Sequence, residues 1–340
     1  MPRRYISPSP WDDDPLGTLL ETEAALAKAK ARLGRIPQAA ADAIVHATQQ
    51  GYDYDEMRDA GEEHATIVVP LLERLRWRLP EEYHEHLHKP ATSQDIIDTA
   101  LMLQASRNIG LTIPLLDRCV AAVGALAAEF GETPQRARTL LQPALPSTFG
   151  NLLTAWRSAV EDARTRLAAV HDHALAVQLG GPVGDLDAPE LVRAFAAELG
   201  LAVPERPWHT VRTRVIDLAT ALGLTIGALG KIGVDVVVLS QPEIGELAEG
   251  AAGSSSSMPD KRNAARSVQL VALAQRSPGL VATVFSALPQ ELHRAAGRWQ
   301  CEDAVIRELL VLTGKAAHHA VTVLEGLKVF PDRMKANLDG

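Results

Sequence analysis

Cysteine is scarce in this chain of 340 residues, which contains only Cys119 and Cys301. Two cysteines cannot build a disulfide framework, and this excludes the class of small domains held together by disulfides. Residues 1–10 also lack the apolar stretch of a secretory signal. We therefore expect a reduced, cytoplasmic protein in which both cysteines are core residues rather than nucleophiles.

Aromatic residues are also few, at 4%, which is low for a β-sandwich or a barrel, whereas all apolar residues together reach 46%. Apolar residues recur at helical spacing along stretches rich in Leu, Ala and Val. Helices are predicted over residues 16–33, 37–50, 62–79, 93–109, 114–129, 149–179, 212–240, 263–287 and 301–327. Loops are predicted at 142–147, 180–187 and 249–260. The pattern predicts an all-α protein.

Positive charge is in deficit, because 34 Lys and Arg residues face 42 Asp and Glu residues, and the net charge is -8. Such a chain repels phosphate backbones and anionic lipid surfaces, so we expect no nucleic-acid partner. No uninterrupted apolar run reaches the roughly 18 residues needed to cross a bilayer. We therefore also expect no membrane partner.

Nucleotide-binding fingerprints and a Gly-x-Ser-x-Gly elbow are missing, so we expect a reaction without a cofactor. His84, His86 and His88 alternate, and on an extended strand they would project from one face and could bind a transition metal. Since they lie among Glu residues just before Pro90, a solvated loop is the simpler interpretation. No metal site is predicted.

The clearest motif covers residues 253–263, which read Gly-Ser-Ser-Ser-Ser-Met-Pro-Asp-Lys-Arg-Asn. A flexible linker is one interpretation of such a Ser-rich stretch. The order Met258, Pro259, Lys261, Asn263 favours another, a loop that opens and closes over a pocket. Asn263 can cap the helix that follows, and Lys261 adds positive charge near that helix N-terminus, where an anion is well bound.

This segment resembles the Gly-Ser-Ser-x-Met-Pro-x-Lys-x-Asn signature of the fumarase, aspartase and adenylosuccinate lyase superfamily. Residues 91–99, Ala-Thr-Ser-Gln-Asp-Ile-Ile-Asp-Thr, are similar to its first substrate loop, and residues 138–144, Arg-Thr-Leu-Leu-Gln-Pro-Ala, to its second. Within the superfamily, the amino-acid sequence of the first loop most resembles the 3-carboxy-cis,cis-muconate cycloisomerase branch.

The resemblance implies a small helical N-terminal lobe, residues 1–90, and a long central helix bundle, residues 91–340, with the third, C-terminal domain of longer members absent. It also implies a homotetramer in which each active site draws loops from three chains. The superfamily places its catalytic base at Ser255. The implied substrate-binding residues are Thr92, Ser93, Arg138, Gln142, Lys261, Asn263, His88 and His209.

Two departures from the superfamily pattern restrict the chemistry. Leu140 stands where amine-expelling members carry a His, and Val268 falls where its partner Glu is expected. Neither side chain can donate a proton, although a leaving amine needs a general acid. We therefore expect a polycarboxylate substrate whose leaving group needs no proton. A carboxylate, as in lactone formation or opening, satisfies this condition, and so does nitrite leaving from a succinate.

Three further departures keep a different class of function open. Asp260 adds negative charge beside the expected anion site, Ala264 replaces the Pro after the signature Asn, and Pro90 replaces a Gly before the first loop. A chain that retained the bundle but lost turnover would act as a binding or scaffold protein. An assay on polycarboxylates distinguishes the two classes.

Overall fold

Helices make up most of the computed structural model, which describes residues 11, 14–250, 253–254, 257–258 and 262–339. The α-helices are α1 (Pro15–Arg32), α2 (Gln38–Thr48), α3 (Tyr54–Gly61), α4 (Val68–Trp77), α5 (Ser93–Phe130), α6 (Phe149–His173), α7 (Pro189–Leu199), α8 (Thr213–Leu239), α9 (Ala265–Ser286), α10 (Glu302–Glu325) and α11 (Pro331–Asp339). Short 3-10 helices cover Glu62–His64, Glu81–His86 and Trp299–Cys301. The all-α fold class is confirmed.

The first helix shows how closely the apolar period predicts the fold. The Asp14 side chain accepts from the Gly17 amide at 2.8 Å, and Pro15 takes the first helical position, where its missing N–H is not needed. The helix ends at Arg32, and Gly34 follows with φ +67°. The prediction of residues 16–33 is confirmed to within one residue at each end.

Proline misled the prediction of the longest helix. The break expected between residues 109 and 114 is wrong, because α5 runs without interruption through Pro114. Proline inside a helix removes one backbone hydrogen bond and usually kinks or ends it. Packing of the remaining apolar turns outweighs that loss here. In the same way α9 continues through Pro278.

Other boundaries also differ from the predictions. The helix predicted over residues 149–179 ends at His173, and the stretch 62–79 divides into a 3-10 turn and α4. Helices α3, α7 and α11 were not predicted. For α7 the signals were present in the sequence, since Pro189 stands at the first helical position and Gly200, with φ +66°, follows the last.

Three antiparallel pairs of strands accompany the helices in the described ranges. Strands β1 (Pro134–Thr139) and β2 (Gln142–Thr148) form a hairpin, so the loop predicted at 142–147 is wrong. Strands β3 (Leu247–Ala248) and β6 (Lys328–Val329) pair, as do β4 (Gly253–Ser254) and β5 (Arg262–Asn263). These short pairs fix loops and form no layer of their own.

The chain divides into two compact units. Unit 1 comprises Met1–Asn108, Val170–Leu218 and Ala282–Glu308, and unit 2 comprises Ile109–Ala169, Ala219–Val281 and Leu309–Gly340. Unit 1 takes residues from both sides of position 90, so these units and the predicted division at residue 90 are different partitions of the chain. The division at residue 90 stays a prediction.

Two helices, α5 and α8, are long and apolar enough to cross a bilayer by length and composition alone. The expectation that no segment would pass this test is wrong, because it counted only uninterrupted apolar runs. Core helices of soluble proteins pass the same test. The most apolar stretch of α5 is 33% buried within the chain and that of α8 is 50% buried, so much of their apolar surface is uncovered.

Candidate active site

Asp95 is the centre of the predicted first substrate loop, in unit 1. Its side chain is fully buried and accepts four hydrogen bonds: from the amides of Thr92, Gly180 and Gly181, each at 2.9 Å, and from His209 Nε2 at 2.7 Å. These donors replace the water that a buried carboxylate loses. One side chain therefore ties together the start of α5, the predicted loop at 180–187 and His209.

His209 is buried beneath that loop, with 4% of its surface exposed. A Cβ at Gly180 would come within 2.8 Å of the imidazole, and one at Gly184 within 3.3 Å of its Nδ1, so the two glycines allow the backbone to pack against the ring. In the structure, His209 therefore helps to hold the Asp95 carboxylate in place through its hydrogen bond. Its contact with substrate stays a prediction.

A second buried network lies one helical turn further along α5. Asp98 binds both terminal nitrogens of Arg212, at 2.8 and 2.9 Å, and also accepts from Trp299 Nε1 at 3.0 Å. Glu302 accepts from Arg212 Nε at 3.0 Å and from Gln290 Nε2 at 2.7 Å. Burial raises the pKa of Glu302 to about 6, although Arg212 opposes the shift. Arg212 is therefore committed to two carboxylates and is not available to a ligand.

Thr92 precedes α5 and Ser93 is its first residue, and both are only partly buried, in contrast to Asp95 beside them. The Thr92 hydroxyl accepts from Arg294 Nη1 at 3.0 Å, and Ser93 makes no side-chain hydrogen bond to a described residue. Burial lowers the pKa of Arg294, and the attraction of Asp95 and Asp98 offsets only part of that shift. Within the described part of the chain Arg294 forms no ion pair, which leaves its charge free to meet an anion.

The segment that carries Arg294 is anchored on both sides of it. Thr210 Oγ1 donates to the Leu292 carbonyl at 3.0 Å, and Val211 forms a β-bridge with Pro289. These contacts hold the guanidinium at Thr92. Sequence reasoning missed Arg294, because no spacing rule connects it with Thr92, which lies 202 residues away along the chain.

His88 lies just before the first substrate loop, with 13% of its side chain exposed. Its Nδ1 is 2.6 Å from Glu23 Oε1, so one ring nitrogen is bonded. The extended strand needed for a metal site at His84, His86 and His88 is absent, since Glu81–His86 is a 3-10 helix. His84 Nε2 instead lies 3.1 Å from the Leu79 carbonyl.

The second substrate loop is the β1–β2 hairpin of unit 2. Arg138 on β1 binds the buried carboxylate of Glu246 through Nη1 at 3.2 Å and Nη2 at 2.6 Å. Glu246 also accepts from Gln135 Nε2 at 2.8 Å and Asn337 Nδ2 at 2.7 Å. Both terminal nitrogens of Arg138 are thus engaged, and its role toward substrate stays a prediction. The side chain lines a cleft of about 280 Å³ together with Lys231 and Asp235.

The tip of this hairpin is strained and exposed. Leu140 and Leu141 have φ angles of 53° and 63°, a left-handed conformation that hairpin turns normally give to Asn or Gly. Leu140 is 97% exposed, Val268 is 50% exposed, and Gln142 is exposed beside the turn. Within a single chain, neither position of the replaced His and Glu pair is buried.

The signature segment contributes two predicted residues, Ser255 and Lys261, that lie outside the described residues. Its ends pair, because Gly253 faces Asn263 across β4 and β5. Asn263 belongs to a strand and does not cap α9, contrary to the expectation. Glu249 does so instead: its carboxylate accepts from the amide and the hydroxyl of Ser267 at 2.7 and 2.6 Å. A cap supplied from 18 residues away has no local sequence signal.

Comparison with known proteins decides the family. Residues 12–277 match the family described as lyase. The chain belongs to this lyase family, in the fumarase/aspartase superfamily. It is 40% identical to the 3-carboxy-cis,cis-muconate cycloisomerase of Pseudomonas aeruginosa over 94% of this chain and 72% of the relative. It is also 40% identical to the nitrosuccinate lyase of Streptomyces davaonensis, over 98% of this chain and 74% of the relative.

Solved structures agree with the assignment. The 3-carboxy-cis,cis-muconate lactonizing enzyme of Pseudomonas putida superposes on this lyase with a TM-score of 0.89 at 36% identity, covering 95% of this chain and 74% of that one. A fumarate lyase from Mesorhizobium superposes with a TM-score of 0.86 at 33% identity, covering 97% and 77%. The resemblance inferred from three short motifs is confirmed over nearly the whole chain.

Proposed function

We propose that this lyase is a cycloisomerase that forms or opens a lactone of a polycarboxylate such as 3-carboxy-cis,cis-muconate. The observation that carries the proposal is the guanidinium of Arg294 at Thr92, which has no carboxylate partner in the described part of unit 1. A partly buried cation of this kind suits a substrate carboxylate, which it can bind through two parallel hydrogen bonds. Thr92 and Ser93 add hydroxyl donors, and in the proposed assembly another chain supplies the ammonium of Lys261 and the amide of Asn263.

The replaced residues at 140 and 268 support this reaction class. In lactone opening, a base removes the proton on the carbon next to a carboxylate, the carbon–oxygen bond breaks, and the ring oxygen leaves as a carboxylate. That leaving group needs no proton, so Leu140 and Val268 are compatible with it. Lactone formation is the reverse: the carboxylate oxygen adds to the double bond and the same group returns the proton to carbon, on the same face.

Ser255 is the proposed base. A free hydroxyl is too weak an acid to ionise near neutral pH, so amides of the closed loop and Lys261 must stabilise the alkoxide. Removal of the proton creates an enolate-like dianion, which preorganised donors must also hold. A loop closed at its base by β4 and β5 is suited to excluding water at that step.

The direct test is turnover of 3-carboxy-cis,cis-muconate, followed by the loss of ultraviolet absorbance as the conjugated diene is consumed. We expect Ser255→Ala to lower turnover by several orders of magnitude while folding is retained. Ser257→Ala is the matched control and should have a much smaller effect. An active Ser255→Ala variant, or efficient turnover of adenylosuccinate or argininosuccinate, would contradict the proposal.

A nitrosuccinate-type lyase reaction is the second candidate, and the relative from Streptomyces davaonensis favours it. Nitrite also leaves without a proton, so the site chemistry suits both reactions. Release of nitrite and fumarate from nitrosuccinate, with no turnover of carboxymuconate, would select this candidate. Tight binding of both compounds without turnover of either would select the scaffold role that Asp260 and Ala264 kept open.

We further propose that the lyase assembles as a cytoplasmic homotetramer. The uncovered apolar surfaces of α5 and α8 support an interface between chains. Both cysteines are free thiols, which suits a reducing compartment. Light scattering in detergent-free buffer should give the mass of four chains. A monomer at micromolar concentration, or a requirement for detergent, would contradict this assembly.

A further inference from the structure

We propose that α1 positions His88 for contact with the substrate, and that Glu23 and Lys30 are the positioning residues. The inference rests on the proposed function, since it needs a polycarboxylate at the first substrate loop. Glu23 and Lys30 are seven residues apart on α1, and this spacing places them on one face of the helix two turns apart. Both are buried.

Glu23 determines which nitrogen of His88 is free. His88 Nδ1 lies 2.6 Å from Glu23 Oε1, and because a carboxylate oxygen accepts hydrogen bonds, we infer that Nδ1 carries the proton and donates it. The Nδ1–H is thereby fixed, and Nε2 becomes the nitrogen available to a ligand. A ring held at one nitrogen also keeps a single orientation.

Lys30 fixes the backbone on both sides of His88. Its Nζ donates to the carbonyls of His86 and Lys89, each at 2.5 Å. The Lys89 amide donates to the Leu87 carbonyl at 2.7 Å, which closes a three-residue turn with His88 at its centre. His88 has a φ of 67°, and a turn of this kind with positive φ is rare and strained.

These contacts carry costs that packing alone does not explain. A non-glycine residue at positive φ is held against its own preference, and such strain is typical of functional positions. Glu23 is buried although its second oxygen, Oε2, bonds no residue in the described ranges. An apolar pair at 23 and 30 would avoid both buried charges. A role in orienting His88, which lies four residues before Thr92, accounts for both the strained backbone and the buried charges.

A double-mutant experiment on the full-length assembled enzyme tests the coupling. We expect Glu23→Gln and Lys30→Met each to lower kcat about tenfold to a hundredfold, because a small misplacement of a substrate-contacting group has effects of that size. In a His88→Ala background the same changes should lower kcat no further. Glu21→Gln and Lys28→Met, at exposed positions of α1, are the matched controls and should leave kcat unchanged.

The same kcat measurements can contradict the coupling between Glu23 and His88. If Glu23→Gln lowers kcat equally with and without His88, Glu23 does not act through His88 and the proposal fails. Circular dichroism identifies variants that lose activity by unfolding. If a variant unfolds, nitrogen-15 NMR of labelled histidine in the unmodified enzyme tests the tautomer of His88 instead, and the His88→Ala variant assigns the signal. We expect the proton on Nδ1. A proton on Nε2 alone would overturn the proposal.

Ligand binding separates this inference from the reaction assignment. In the Ser255→Ala variant, which should bind without turnover, saturating carboxymuconate or fumarate should shift the Nε2 signal of His88. A shift without turnover by the unmodified enzyme would uphold the His88 arrangement while the proposed reaction fails. Turnover by the unmodified enzyme with an unmoved Nε2 signal would refute the substrate contact and leave the reaction intact.

Discussion

Asp95 in unit 1 and Glu246 in unit 2 are both fully buried carboxylates that hold a predicted substrate loop, but they bind different partners. Asp95 binds backbone amides and an imidazole, whereas Glu246 binds the guanidinium of Arg138 and two side-chain amides. This difference in partners determines which side chains of the two loop motifs are bound within the protein. Asp95 binds the backbone amide of Thr92 and not its hydroxyl, which instead accepts from Arg294. Arg138 has both terminal nitrogens engaged because Glu246 uses its side chain.

This contrast shows that one predicted substrate loop is held through its backbone amides, while the other is held through the side chain of its matched Arg. Arg294 illustrates the converse, since it lies outside the predicted substrate loops and yet contacts Thr92. We therefore base the proposed binding group on a charge that has no ion-pair partner, more than on its position in a motif.

The largest effect is expected from Asp95→Asn. The new amide would present N–H groups to two of the four donors that now bind the carboxylate, and leave those two without an acceptor. We expect the free energy of unfolding to fall by about 4 kcal/mol. Urea denaturation at fixed protein concentration measures it. Asp185→Asn, an exposed position in the same loop region, should change it by less than about 0.5 kcal/mol. A small loss for Asp95→Asn would show that its four bonds do not hold the loop.

The Arg138–Glu246 pair should behave differently, because each partner can be removed with the other. Glu246→Gln alone leaves a partly buried guanidinium without its carboxylate, and we expect a loss of about 3 kcal/mol. The double variant Arg138→Met, Glu246→Gln should lose about 2 kcal/mol less than the sum of the single variants. Additive losses would mean that the two side chains do not depend on each other. No second substitution can rescue Asp95→Asn in this way, since three of the four groups that donate to Asp95 are backbone amides.

The sequence predicted elements whose signals are local. Helix α1 was predicted from its apolar period, from Asp14 and from Gly34. The three substrate loops were predicted from their amino-acid motifs. The β1–β2 hairpin was missed because its strands contain three prolines and two alanines among few β-branched residues, and because Leu140 and Leu141 occupy a turn that normally requires Asn or Gly. Register between the strands, not residue preference, fixes that turn.

Long-range partners could not be read from the sequence. Glu249 caps α9 from 18 residues away, and Glu23 reaches His88 from 65 residues away. Hydrogen bonds at such separations depend on how helices pack, and no spacing rule encodes them. The type of each residue is visible in the sequence, but its partner is not. For this reason the reaction class could be predicted, while the residues that position the site had to be read from the structure.

Lys30 extends the contrast to a buried cation and gives the smallest expected effect. Unlike Arg138, it binds two carbonyls and no carboxylate, so burial lowers the pKa of Lys30 from 10.5 to about 8, with Glu23 opposing part of the shift. Above pH 8 the folded protein has lost this proton while the unfolded chain still holds it. Since the unfolded state then binds more protons, the free energy of unfolding rises with pH. Between pH 8 and about pH 9.5 the rise is at most about 2 kcal/mol, and it should be absent from Lys30→Met. Urea denaturation across that range, taken as the difference between the unmodified enzyme and the variant, measures it. Parallel curves would show that Lys30 keeps its ordinary pKa and that the two carbonyls compensate its charge as fully as Glu246 compensates Arg138.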